Sequence, residues 1–418
     1  MNAAALVLVL SSTALGQTFH AIPDLPGGTS LNRARAISPD GTVTVGGSSG
    51  NGGDEAVRWV IGAPAPQGLH DIPGVMSSSE AQACSMQGAV IYGFGANPSG
   101  DLEAFRWTPG VGLRPLGFLP TGGYSSRAYG CSADGEAACG ESLFQGTGAP
   151  PPLPVTQAFR WTVAGGMQGL GWLPGASFYS TARAMSADGS VVVGWATDAT
   201  FANRPFRWTQ QTGMVDISGG QFSGTARGVS SDGQWIVGSD STLGFAFRWH
   251  TSQPLGTYTT LYPGPWASSA VAADVSDDGR IVVGASTGRA VMWTVDGAGP
   301  IFATELSTLA PAGWNLQVAH SVSNDGRTIA GYGLNPQGQT QGFVLVLPAP
   351  NCDQSVQDYN GDADSGTDQD IEAFFACLGG TCCPTCHPRG SDVNGDGDAG
   401  TDQDIEAFFA CLGGTCCF

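Results

Sequence analysis

The chain has 418 residues and a formal charge of −19, and its 64 glycines and 26 prolines are the composition of a chain with many tight turns. That length exceeds one ordinary compact domain unless the fold is a repeat. All 16 basic residues are arginine and they form no run in the sequence, which argues against nucleic acid or an anionic membrane as a partner.

The acid excess is uneven. Residues 350–418 hold 13 Asp and Glu against Arg389 alone, together with eight of the 11 cysteines. An acidic, cysteine-dense tail points to a bound cation and to disulfides made in an oxidising compartment. At the other end, Ala3 to Leu10 is apolar and leads through Ser11-Ser12-Thr13 to the small residues Ala14 and Gly16. Residues 1–16 therefore read as a secretory signal peptide, although no basic residue precedes the apolar run. No other run approaches the ~20 apolar residues of a membrane-spanning helix. The expected location is extracellular or cell-surface, with no integral membrane segment after signal removal.

From residue 17 one phrase recurs. It is clearest as SADGSVVVG from Ser186 to Gly194, with copies starting at Ser38, Ser132, Ser230, Ser276 and Ser323 and a worn copy, SMQGAVIYG, at Ser85. The turn glycines Gly41, Gly88, Gly135, Gly189, Gly233, Gly279 and Gly326 are spaced by 44 to 54 residues, a period that signals a repeat architecture. Each unit reads as four short strands. In the fourth, Ala182 to Ser186 (ARAMS) alternates, Asp188-Gly189 turns, Ser190 to Val193 is β-branched, and Pro205 to Thr209 places Phe206 and Trp208 on one face and Arg207 on the other. The Asp of each SxDG turn is expected to cap its own turn.

Seven such units predict an all-β seven-bladed β-propeller over residues 17–347, with an open β-solenoid as the alternative. The Ala- and Ser-rich segments would be innermost. Phe19 to Leu25 then has no blade of its own and is expected to supply the outer strand of the last blade, latching the ring. The Arg-Trp step at Arg58-Trp59, Arg106-Trp107, Arg160-Trp161, Arg207-Trp208 and Arg248-Trp249 is expected to be structural. Trp would fill the wedge between sheets, with Arg lying on an outer face or paired with an acid.

Departures from the repeat are where function is sought. The third unit carries the Pro-rich insertion Gln145 to Gln157. Trp172, Trp266 and Trp314 fall near loops and stand as sugar-stacking candidates against a plain loop-anchoring role. Cys131 and Cys139 flank one turn and are expected to face each other, with Cys84 as a competitor. His20, His70, His250, His320 and His387 share no motif, and no GxSxG, HExxH or phosphate-binding loop occurs, so no catalytic residue is assigned and the chain is expected not to be an enzyme.

The AFRW strands (Ala104 to Trp107, Ala158 to Trp161, Ala246 to Trp249), the approaches Leu116 to Gly123 and Leu170 to Gly175, and the SxDG turns resemble the extracellular HAF-repeat family over residues 17–349. That resemblance implies a secreted or surface protein and no defined chemistry.

After a linker at 348–351, residues 352–418 form a second repeat. DYNGDADSGTDQDIEAFFACLGGTCC from Asp358 recurs as DVNGDGDAGTDQDIEAFFACLGGTCC from Asp392. Oxygen ligands stand at alternate positions, Asp358, Asn360, Asp362 and Asp364, and again Asp392, Asn394, Asp396 and Asp398, which is the spacing that turns side chains around a calcium ion. Asp368 or Asp370, and Asp402 or Asp404, would close each shell; Asp370 and Asp404 are preferred. A helix follows each loop, with stripes Ile371, Phe374, Phe375, Leu378 and Ile405, Phe408, Phe409, Leu412 expected to pack on each other. Cys382, Cys383, Cys386 and His387 invite a zinc reading, but two disulfides per unit suit a small secreted module better. Residues 352–417 resemble a dockerin-type, EF-hand-like tandem module, which implies calcium as cofactor and docking to a partner. The acid expected at the twelfth loop position is replaced by Gln369 and Gln403, and dockerins lack the cysteines.

Together these features point to a secreted binding or attachment protein, its propeller presenting a surface to an unknown protein or polysaccharide partner and its tail anchoring it. A carbohydrate-active enzyme with a targeting module, and a passive surface repeat, are the alternatives.

Overall fold

The computed structural model describes residues 17–348, apart from 29–31, 51–52, 71–77, 121–122, 146–153, 177 and 296–298, and in the tail residues 368–378, 405 and 408–409. The chain divides into two compact units, Met1–Leu347 and Pro348–Phe418. No described helix is long and apolar enough to cross a membrane.

The first unit is a seven-bladed β-propeller. Its seven sheets begin at the innermost strands Asn32–Ile37, Ser79–Cys84, Gly123–Cys131, Ser180–Met185, Gly224–Val229, Val271–Val275 and Asn315–Val322. These are the Ala- and Ser-rich segments, here called the inner strands of blades 1 to 7. Blade 7 is completed by Thr18–Ala21, which pairs antiparallel with Thr340–Val346 as its outermost strand, so the ring closes with one strand from the start of the chain and three from its end. Blade 6 is irregular: its outer strand is only Thr304–Glu305, while Ile301–Phe302 adds in parallel to the sheet of blade 5.

Each pair of neighbouring blades encloses its own apolar core. Blades 3 and 4, for example, bury Cys139, Ala158, Ala182, Val192 and Phe206 together, and Trp208 packs against them. Phe105, Phe159, Phe206, Phe247 and Phe343 occupy equivalent wedge positions and are fully buried. Trp59, Trp107, Trp249 and Trp293 are at most 5% exposed, consistent with the wedge role expected of them.

The arginine of the Arg-Trp step does something the sequence did not suggest. It reaches the turn of the following blade: Arg58 Nε donates to the Gly88 carbonyl (3.1 Å), Arg160 Nε to that of Gly189 (2.9 Å), and Arg106 Nη2 to that of Gly135 (3.4 Å). Only Arg106 also meets an acid, Glu136, at 3.4 Å. In blade 5 the Arg248 guanidinium instead lies 3.6 Å from the centroid of the Trp235 ring.

The SxDG turns cap themselves, as expected. In the fourth, the Ser186 hydroxyl donates to Asp188 (2.6 Å) and accepts the Val191 N–H (3.0 Å), while Gly189 takes the left-handed backbone (φ 68°) that the turn needs. The Ser186 and Ser190 hydrogen bonds hold the Asp188 carboxyl below the usual carboxylate range.

In the tail, the helix Asp368–Leu378 (α1) is described in full. Phe374 and Phe408 are fully buried and stack with centroids 4.0 Å apart, so the two apolar stripes do meet, whereas Phe375 and Phe409 are half exposed. Cys377 is buried and disulfide-bonded.

Two outcomes follow. Phe19 on the closing strand is 4% exposed and packs edge-on against Trp314 (4.9 Å), so Phe19→Ala should lower stability by about 3 kcal/mol, read as a shifted urea midpoint. Ser186 is 1% exposed, and Ser186→Ala should cost about 1 kcal/mol and return the Asp188 pKa toward its ordinary value in an NMR titration. The stabilisation from Asp188 is present above the ordinary carboxylate pKa and is lost as pH falls through its depressed folded value, so the variant should lose it at higher pH.

Candidate functional site

The second residue of each SxDG turn lies at one mouth of the channel. There the blades are tied to one another by backbone hydrogen bonds: Met86 N–H to the Ala133 carbonyl (2.9 Å), Ala133 to Ala187 (2.8 Å), Ala187 to Ser231 (2.9 Å), Asp277 to Asn324 and Asn324 to Pro39 (3.0 Å each). Between blades 5 and 6 the Asp277 carboxylate accepts the Ser231 N–H instead (3.0 Å). Pro39 has no N–H to pass on to blade 2. The result is a belt of turns around the channel.

Behind the belt, every inner strand is irregular at the same place. The pairing slips between Ala34 and Ala36, Ala81 and Ala83, Ala128 and Gly130, Ala182 and Ala184, Ala226 and Gly228, Ala272 and Asp274, and Ala319 and Ser321. Each is a β-bulge whose extra residue is re-aimed out of the ladder. The extra residues are Arg35, Gln82, Tyr129, Arg183, Arg227, Ala273 and His320, and all seven line one central cavity of about 260 Å3. The cause is legible in the last glycine of each repeat. A Cβ on Gly194 would run into the Thr181 carbonyl oxygen, and one on Gly46 or Gly331 into that of Arg33 or Val318. Only glycine lets the bulged strand lie this close.

The chemistry of this ring is cationic on its surface and carboxylate-poor. Glu80 accepts from Arg35 Nε at 2.7 Å, and Arg35 Nη1 lies 3.1 Å from His320 Nε2. The Arg183 guanidinium sits 4.5 Å from the centroid of the Tyr129 ring, and the Tyr129 hydroxyl donates to Glu141 (2.9 Å). Arg227 is open to the channel solvent yet ringed by protein. Burial and the neighbouring Arg183 both lower its pKa, though far too little to discharge a guanidinium. Asp274 lines the cavity with both oxygens engaged, by Val275 N–H, Val322 N–H and the Ser321 hydroxyl, and burial pushes its carboxyl up to about 6. Burial, then Arg35, Arg227 and Arg33, depress His320 to about 3, so it is neutral at physiological pH.

The sequence-derived candidates fare unevenly. Of the proposed calcium ligands Asp358, Asn360, Asp362, Asp364, Asp370, Asp392, Asn394, Asp396, Asp398 and Asp404, Asp370 alone lies among the described residues, fully buried in the first turn of α1. The Pro-rich insertion, from residue 146 to 153, and residues 1–16 also lie outside them. Cys131 and Cys139 do not face each other: Cys139 pairs with Gly130 and Cys131 with Ala138, so the two thiols point into different inter-blade cores. Cys84, Cys131 and Cys139 are all free, and burial pushes the Cys84 and Cys139 thiols up to about 12, which makes them inert. Trp172 donates its indole N–H to the Thr156 carbonyl (3.3 Å) and Trp314 packs on Phe19, so both anchor loops, while Trp266 is 36% exposed beneath Arg289. Sequence reasoning missed the bulge ring. The repeated Ala-x-Ala pattern with its distant glycine was the available signal.

No family model matches the sequence, and no curated protein matches it. Solved structures do. TolB from Acinetobacter baumannii is 15% identical, with 55% of this chain and 53% of that one covered and a TM-score of 0.38. A puromycin hydrolase is 17% identical, with 75% and 53% covered and a TM-score of 0.47. The periplasmic gluconolactonase of Pseudomonas aeruginosa is 14% identical, with 73% and 96% covered and a TM-score of 0.38. This chain spans about half the length of the first two. The likeness is one of fold and assigns no activity. It does correct the expectation that the chain is not an enzyme: two of these propeller-bearing proteins are enzymes, so missing sequence motifs are no ground for that exclusion.

The depressed His320 gives a pH test. In the unfolded chain it takes up a proton near its ordinary 6.5, but in the folded one only near 3. The unfolded state therefore holds more protons between these values, and stability should fall as pH drops from about 6.5 toward 3. His320→Gln should flatten that part of the stability–pH curve, measured by urea unfolding at a series of pH values.

Proposed function

We infer that the chain is an extracellular binding protein whose propeller presents a ligand site at its central channel and whose tail attaches it to a partner. The observation that carries the ligand site is the bulge ring. The small residues of the inner strands and the turn glycines recur from blade to blade, whereas the seven positions aimed into the cavity hold five different residue types. Variation at one ring of a repetitive wall is what a binding site on a repeat scaffold requires. The leader-like residues 1–16 support export, and the resemblance to HAF repeats agrees with it.

The tail reading rests on the two DxNxD loops and on the residues after them. Phe374 and Phe408 form a shared core, and Asp370 is buried in the first turn of its helix, as a carboxylate turned toward the preceding loop would be. Calcium held by Asp358 to Asp370 and by Asp392 to Asp404 would fix each loop against its helix and leave the module ordered for docking, as the dockerin-like resemblance implies.

Calorimetric titration of the full chain with calcium should show two saturable sites. Asp358→Ala and Asp392→Ala should each remove one of them, and removal of calcium with a chelator should lower the melting temperature of the tail without moving that of the propeller. A chain that takes up no calcium would sink the tail reading.

A further inference from the structure

The channel runs against the charge of the molecule that surrounds it. Residues 1–349 carry 22 Asp and Glu against 15 Arg, yet the bulge positions hold three arginines and a histidine and no carboxylate. Most of the acids nearby are already engaged, and Asp277 at the mouth accepts the Ser231 N–H through one oxygen. Glu80 engages Arg35, Glu141 takes hydrogen bonds from Arg127 and Tyr129, and Asp274 spends both oxygens on blades 6 and 7. Arg183 and Arg227, which stand on adjacent blades, have no carboxylate partner among the described residues. Tyr129 supports the Arg183 guanidinium from one face and leaves its N–H groups to the cavity. Two neighbouring guanidiniums in a protein-walled cavity repel each other and gain most from an oxyanion placed between them.

We propose that the central channel is an anion site in which Arg183 and Arg227 together bind a small ligand through a carboxylate or phosphoryl group. Arg35 and His320 stand on the opposite side of the ring, on blades 1 and 7, where neutral His320 and the Gln82 amide offer hydrogen bonds to the polar remainder of the ligand. Ala273 keeps the wall beside Arg227 open. A cavity of about 260 Å3 accommodates a small organic acid or a sugar acid or phosphate. The proposal rests on the reading of the propeller as a ligand-presenting body and narrows its ligand class.

The test is calorimetric titration of the full chain at low ionic strength with citrate, glucuronate and inorganic phosphate, with glucose as the neutral comparison. At least one anion should bind saturably and glucose should not; citrate or glucuronate alone would identify a carboxylate ligand, and phosphate a phosphoryl one. Arg227→Gln and Arg183→Gln should each weaken binding by about tenfold or more, the loss expected of a charge-assisted hydrogen bond. Arg183→Lys, which keeps the charge and loses the fork, should fall in between. Without ligand, the melting temperature of Arg227→Gln should stay level or rise, because the substitution relieves a like-charge contact; a structural arginine would lower it. Absence of anion binding by the unaltered chain, or binding indifferent to both Gln substitutions, overturns the proposal. Binding of a neutral oligosaccharide that ignores both substitutions would overturn the anion site while leaving the ligand-presenting reading intact.

Discussion

The ring depends on how the SxDG turn is held. Inside the turn, a buried serine hydroxyl joins the aspartate to the first N–H groups of the next strand. At the turns of blades 2, 3 and 4, the arginine of the preceding blade's Arg-Trp step also donates to the carbonyl of the turn glycine. From the following blade, a carbonyl accepts the N–H of the second turn residue. These contacts point in three directions, so a turn cannot shift without disturbing two neighbours. At the turn of blade 2 a missing contact is offset by another. Pro39 cannot donate to blade 2, and the turn of blade 2 is the worn SMQG copy without an aspartate. There Arg58 makes two hydrogen bonds, to the carbonyls of Gly88 and Gln87.

A fixed turn fixes the strands on either side of it, and this leads to the bulges. With the belt at one end and the blade's second strand alongside, the inner strand has one residue too many for the ladder. The surplus falls where glycine in the second strand permits a close backbone approach, at Gly46, Gly194 and their equivalents. The ejected residue faces the channel and is free of the packing demands on its neighbours. The repeat thereby separates two requirements: identical residues build the wall, and one variable residue per blade decorates the cavity.

Much of this wall was legible in the sequence. The period, the turn chemistry, the small inner strands and the latch at Phe19 follow from local rules that hold in every blade. The binding ring was not legible, because a bulge breaks the period-two alternation by which faces are assigned. Read as regular strands, ARAIS and ARAMS give no reason to set Arg35, Arg183 and Arg227 together, and their distance in the sequence hides them as a basic cluster. The same slip misleads at Cys131 and Cys139, whose spacing suggests opposition across a hairpin but whose register sends them to different cores. The Arg-Trp arginines were misread for another reason. The partner of Arg58, Arg106 and Arg160 is a backbone carbonyl one blade away, and carbonyls leave no mark in a sequence.

The guanidiniums of the channel also act within limits set by the rest of the chain. Net negative charge opposes the approach of an anion from afar, but at physiological ionic strength that field is screened within about 8 Å. Inside the cavity the opposite holds: surrounding protein excludes part of the solvent and strengthens the local attraction of Arg183 and Arg227, while Glu80, Glu141 and Asp274 are engaged elsewhere. Recognition on such terms favours a ligand small enough to enter and carrying an anionic group at one end. The anionic group is then selected by the two neighbouring guanidiniums and not by long-range steering.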